Sequence, residues 1–146
     1  AFFNRGNTYL DMEKFDLAIS DFSMNLRLDP GNAMAYTNRG IAFSRKGDND
    51  QALSDLKKAA GLNPEDPETF FQLGMVYCRK MKYPEAISSF TTSLKWRPGD
   101  AEAWYYRGLA AYYSGKKEEA IRDFKESGRL GYLSADDILE VLEGEK

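Results

Sequence analysis

Histidine is absent from the 146 residues, and cysteine occurs once, at Cys78. The first absence removes the commonest general base and the commonest metal ligand together. The second excludes an internal disulfide, a cysteine–histidine nucleophile pair and a four-thiolate zinc site. No run of about 18 apolar residues occurs, so no segment reads as a membrane-spanning helix. Neither GxxxxGK[ST] nor GxGxxG is found, which leaves phosphate-cradling loops without support. Ala1 to Arg5 lacks the basic-then-apolar order of a secretory leader. Carboxylates are plentiful, yet Glu118-Glu119 and Asp136-Asp137 read as solvated helix faces or helix starts. The reading is therefore not an enzyme, with no catalytic residue, no cofactor and no metal ligand.

The net charge is −3, and its spread decides against one class of partner. Residues 67–100 carry +2 and residues 135–146 carry −4, with no concentrated basic footprint, so no nucleic-acid partner is expected.

Against these absences stands a repeat. Pro30, Pro64 and Pro98 lie 34 residues apart, and the same step links Gly6, Gly40, Gly74 and Gly108. It also links Ala18, Ala52, Ala86 and Ala120, then Phe22, Leu56, Phe90 and Phe124, then Phe2, Tyr36, Phe70 and Trp104. Five slots holding one period mark a repeat architecture. Each period reads as two helices. In residues 33–66, Tyr36, Gly40 and Phe43 share one helical face, Gly47-Asp48 stops that helix, and Ala52, Leu53, Leu56 and Ala59 or Ala60 share the next face. Pro64 then blocks continuation. The spacing predicts helix pairs near 1–12 and 15–28, 33–46 and 49–61, 67–80 and 83–95, and 101–114 and 117–129.

The two ends differ. Ser134 to Asp137 resembles a capping box with Asp in place of Glu. It precedes Ile138, Leu139, Val141 and Leu142, with Asp136, Asp137, Glu140, Glu143 and Glu145 set outward, which predicts a capping helix at about 135–143. Ala1 begins inside a first helix, which points to a chain excised from a longer one. A second regularity pairs Arg5, Arg39 and Arg107 with Asp21, Asp55 and Asp123, sixteen residues on, while Leu73 is followed by Ser89. Ion pairs between the two helices of a hairpin are the expectation.

These intervals resemble the tetratricopeptide repeat, over residues 1 to about 132. Leu73 obeys the family's Leu before Gly, whereas Arg5, Arg39 and Arg107 depart, as do Ala111 for an aromatic and Tyr132 for a proline. The resemblance implies an all-α fold, a right-handed superhelix of antiparallel helical hairpins. It would make residues 1–146 a single domain with units 1–32, 33–66, 67–100 and 101–133. It also implies a concave groove lined by the first helices, binding a protein or peptide of unknown identity.

Carried onto this chain, the groove slots are Phe3, Thr37, Phe71 and Tyr105, then Asn7, Ile41, Met75 and Leu109. A third set is Leu10, Ser44, Cys78 and Tyr112, beside Arg45, Arg79 and Tyr113, with Asn4, Asn38, Gln72 and Tyr106 at the edge. A subclass of the family holds the terminal carboxylate of heat-shock chaperones with two Asn and three cations. Here Asn7 and Asn38 remain, but the cations become Phe3, Glu68 and Gln72, which argues against such a clamp. The site expected on this frame gathers Phe71, Met75, Arg79, Tyr105, Leu109, Tyr112 and Tyr113, with Asn7 and Asn38 as peptide-backbone ligands. The rival expectation is self-association, by stacking through the uncapped front face at Phe2 and Phe3.

Overall fold

Three of the expected helix starts are held by short polar side chains. Asn32 Oδ1 accepts the Ala35 N–H at 3.1 Å, Asp48 Oδ1 accepts that of Gln51 at 3.2 Å, and Asp100 Oδ1 that of Ala103 at 3.3 Å. Each satisfies a backbone donor that has no partner inside its own helix. The turn inside each hairpin needs one left-handed residue. That slot is Glu13, Gly47, Met81 and Gly115 in turn, with φ of 59°, 99°, 57° and 81°.

The computed structural model describes residues 1–144. Among them are nine helices and no strand. They group into two compact halves, Ala1–Gln72 and from Leu73 onward. The first half holds α1 (Phe2–Asp11), α2 (Phe15–Leu28), α3 (Ala33–Lys46), α4 (Asn49–Leu62) and the opening of α5 (Pro67–Arg79). The second holds the remainder of α5, then α6 (Tyr83–Trp96), α7 (Ala101–Tyr113), α8 (Lys117–Arg129) and α9 (Leu133–Gly144). No helix runs through Gly47 or Pro64, as the punctuation predicts.

The period-34 slots are contacts. Ala18, Ala52, Ala86 and Ala120 are fully buried, as are Phe22, Leu56, Phe90 and Phe124. Each of those large side chains lies against the glycine sixteen residues earlier, on the partner helix of its hairpin. A Cβ on Gly6, Gly40, Gly74 or Gly108 would fall within 2.6–2.8 Å of it. The repeated Gly and the repeated large apolar residue are thus two halves of one close approach.

All three ion pairs form, and all are two-pronged. Arg5 reaches Asp21 at 2.8 and 2.9 Å, Arg39 reaches Asp55 at 2.7 Å twice, and Arg107 reaches Asp123 at 2.8 Å twice. Such fork geometry is particular to guanidinium. Arg39 and Arg107 also donate at 3.1 Å to Ser23 Oγ and Thr91 Oγ1 on the preceding hairpins. Bonding from Arg5 holds the Asp21 carboxyl below its ordinary range. In the odd period, Leu73 is buried and Ser89 Oγ bonds back to the Glu85 carbonyl.

The last helix corrects two expectations. It begins at Leu133, so Ser134 lies inside its first turn and the expected capping box is not the helix start. Ala135 and Leu142 form its buried stripe with Ile138 and Leu139 beside them, whereas Val141 is 61% exposed. Residue 141 follows 138 by three positions but sits one step round from 142, which takes the inward place. Glu145, expected to point outward, lies outside the described residues.

Candidate functional site

In the second half, two helix faces and one neighbouring ring enclose an apolar cavity of about 180 Å³. Met75, Cys78 and Arg79 come from α5 at spacings i, i+3 and i+4. Tyr106, Leu109, Ala110 and Tyr113 come from α7 at i, i+3, i+4 and i+7. Both sets are single helical faces by periodicity alone. Tyr83, the first residue of α6, closes one side, its ring stacked on that of Tyr113 at 5.6 Å and 24°. Tyr106 in turn lies over the buried ring of Phe90 at 6.4 Å, which seats the cavity on the hairpin core.

The chemistry of the cavity is that of carbon surface. Desolvation pushes the Cys78 thiol up to about 11, with Arg79 opposing, so little of it is thiolate at neutral pH. Two of the larger depressions, of about 410 and 300 Å³, are polar and lined in part by the ion-paired Arg39 and Arg107. Among the described residues, no three acidic or cysteine side chains converge as a metal site.

The expected site residues separate. Met75, Arg79, Leu109 and Tyr113 line this cavity together. Tyr112 is not among the residues that line it, and its ring is set edge-on to that of Tyr113 at 5.7 Å. Tyr105 turns inward, against Phe124 at 5.6 Å and Tyr132 at 4.8 Å, where burial raises its phenol pKa. Phe71 is buried, and it lies in the first half. Thr37, in the same slot as Phe71 and Tyr105, is buried too and shares a 2.7 Å hydrogen bond with Thr69. That slot therefore packs between helices instead of lining an open surface. Asn7 and Asn38 meet each other, with Asn38 Nδ2 donating to Asn7 Oδ1 at 2.8 Å.

Sequence reasoning missed Tyr83, although the period held a signal for it. Phe15 occupies the same slot two periods earlier, and Arg45 lies over its ring at 5.1 Å. Tyr113 replaces that arginine at the corresponding place, and the cation–ring contact becomes a ring–ring stack.

Family models described as tetratricopeptide repeat match residues 1–32, 33–66 and 71–128. No curated protein matches the sequence. Among solved structures, MamA superposes with a TM-score of 0.90 at 22% identity, over 96% of this chain and 84% of its own, a likeness of fold alone. YrrB, described as a TPR protein with an unusual peptide-binding site, gives 0.83 at 26% identity over 93% of this chain and 73% of its own. The first TPR of Spaghetti (RPAP3), solved with the HSP90 peptide SRMEEVD, gives 0.77 at 25% identity over 78% and 90%.

Proposed function

Since the chain belongs to the tetratricopeptide repeat family, we infer that it is a non-catalytic scaffold holding a segment of another protein at the cavity between α5 and α7. One observation carries this. The cavity is apolar, partly walled by the exposed Tyr113, and built on helices fixed by buried Gly–Phe contacts, so its shape does not depend on a loop. YrrB and the Spaghetti repeat, both similar in fold, are peptide binders by description. In this proposal the four units and α9 act as one domain.

The peptide is not an acidic chaperone tail. The three places where cations would be needed hold Phe3, Glu68 and Gln72, and Gln72 Nε2 is already bonded to Glu68 Oε1 at 2.8 Å. Self-association through Phe2 and Phe3 has less behind it, because both rings are half-buried and Phe3 packs on Phe22 at 6.1 Å.

A library of random peptides displayed on phage and selected on this protein tests the reading. Selected peptides should bind the Tyr113→Ala variant about 1–2 kcal/mol more weakly, with an unchanged melting curve. Equal binding to both would place the site elsewhere.

A further inference from the structure

The arginines of the ion pairs lie against rings of their own helices, and one place in that set holds no ring. Arg5 lies over Phe2 at 5.7 Å and over Tyr9 at 5.9 Å, the aromatics three residues before it and four after. Arg39 repeats this with Tyr36 at 5.6 Å and Phe43 at 6.0 Å. Arg107 lies over Trp104 at 4.7 Å, but the residue four places on is Ala111.

The surface is hollow at that place. A depression of about 300 Å³ is lined by Arg107, Ala111 and Asp123, with Ile87 and Thr91 from α6. The exposed Glu119 and Arg122 of α8 complete it. Ala111 is 2% exposed and belongs to the same buried cluster as Ala120 and Phe124, so the depression reaches the hairpin core. The one beside Arg39 differs: Tyr36 lines it and Phe43 does not. The hollow beside Arg107 shares no lining residue with the cavity between α5 and α7.

Chemistry narrows what would fit. Arg107 already spends Nε and Nη2 on Asp123, and its Nη1 donates to Thr91, so it needs no further anion. A carboxylate would meet Asp123 and Glu119, and an ammonium would meet Arg107 and Arg122. A neutral ring avoids both and gains the attraction between guanidinium and ring face, which an aliphatic group does not. The volume lies at the bottom of the roughly 300–1,000 Å³ of sites that enclose a whole small molecule, which suits one ring with its backbone left outside.

We propose that this depression is a second contact site of the scaffold, taking one phenylalanine or tyrosine side chain of a partner protein in the place where α7 lacks its own.

Titration of the isotope-labelled protein with the N-acetyl amides of phenylalanine, tyrosine and leucine, followed by NMR, tests it. The two ring compounds should shift the amide signals of Ile87, Thr91 and Ala111 in a saturable way, and bind at least about five-fold more tightly than the leucine compound. Ala111→Phe supplies the ring from the chain itself, so it should abolish those shifts and raise the urea midpoint. Arg107→Leu with Asp123→Ser copies Leu73 and Ser89, and should bring ring binding down to the leucine level; it decides alone if Ala111→Phe does not fold. Tyr113→Ala should leave the shifts unchanged. Equal binding of the leucine compound, ring binding that survives the double variant, or shifts centred on Met75 and Tyr113 would overturn the proposal. Free phenylalanine bound about ten-fold more tightly than its capped amide would make this a small-molecule site and overturn the assignment to a protein side chain.

Discussion

A Cβ added at Gly74 would lie 2.6 Å from two atoms of the Phe90 ring, which is fully buried and has no space to retreat. Gly74→Ala therefore overpacks the hairpin and should cost about 1–3 kcal/mol in urea unfolding. A melting curve unchanged from wild type would show that the helices separate more easily than this contact implies. Met81 presents the reverse case. It holds the left-handed turn at φ 57° with its side chain 73% exposed, where Gly47 and Gly115 hold the same slot. A left-handed backbone costs an L-residue roughly 1–2 kcal/mol, against about 0.5–1 kcal/mol of extra chain entropy for glycine. Met81→Gly should thus stabilise by about 0.5–1 kcal/mol, read as a higher urea midpoint. A lower midpoint would mean that the methionine side chain makes a contact worth more than the turn strain.

Between elements, the bond that joins α3 to α4 is Arg39–Asp55. The Asp55 side chain is 6% exposed and that of Arg39 22%, so the pair is largely shielded from water. Asp55→Ala strands the guanidinium and should cost about 3–5 kcal/mol. Arg39→Leu with Asp55→Ser copies the Leu73 and Ser89 of the odd period, an arrangement the fold already accepts, and should cost less than the single change. A double variant no more stable than Asp55→Ala would contradict that coupling. The pairing was legible in the sequence because it is a contact inside one hairpin, repeated with the hairpin. So were the helices and their breaks. The cavity was only half legible, and Tyr105 and Tyr113 show why. Both are tyrosines on α7, and the period assigns each a slot, but a slot records only a direction on its own helix. Whether another element covers that direction is settled by α8 and the turn before α9, whose Phe124 and Tyr132 take in Tyr105, whereas Tyr113 stacks on the ring of Tyr83 and stays 62% exposed. Val141 was misplaced for the same reason, since one apolar run on α9 offers two inward faces and packing chooses one.

At the scale of the whole chain, the single cysteine makes the cavity measurable. Cys78 is the only thiol in the sequence and it lines the cavity wall, so thiol chemistry reports on that place and no other. Burial raises its pKa from 9.0 to about 11, which makes the thiolate about a hundred-fold scarcer at neutral pH than in an ordinary cysteine. Reaction with a disulfide reagent at pH 7.5 should be slow by a similar factor, and should recover when urea opens the second half. The pH dependence has a definite sign. Between 9.0 and about 11 the folded protein keeps a proton that the unfolded chain releases, so this group's contribution to stability is complete below 9.0 and is lost as the pH rises toward 11. Its native reaction rate should keep climbing through that window, where the unfolded chain has levelled off. A partner's side chain bound in the cavity would cover the same thiol. A peptide seated in the cavity should therefore slow the reaction further, in proportion to its occupancy, while one bound elsewhere would leave the rate unchanged. A native rate equal to that of the urea-unfolded chain would mean that the thiol is open to solvent, and with it the cavity wall.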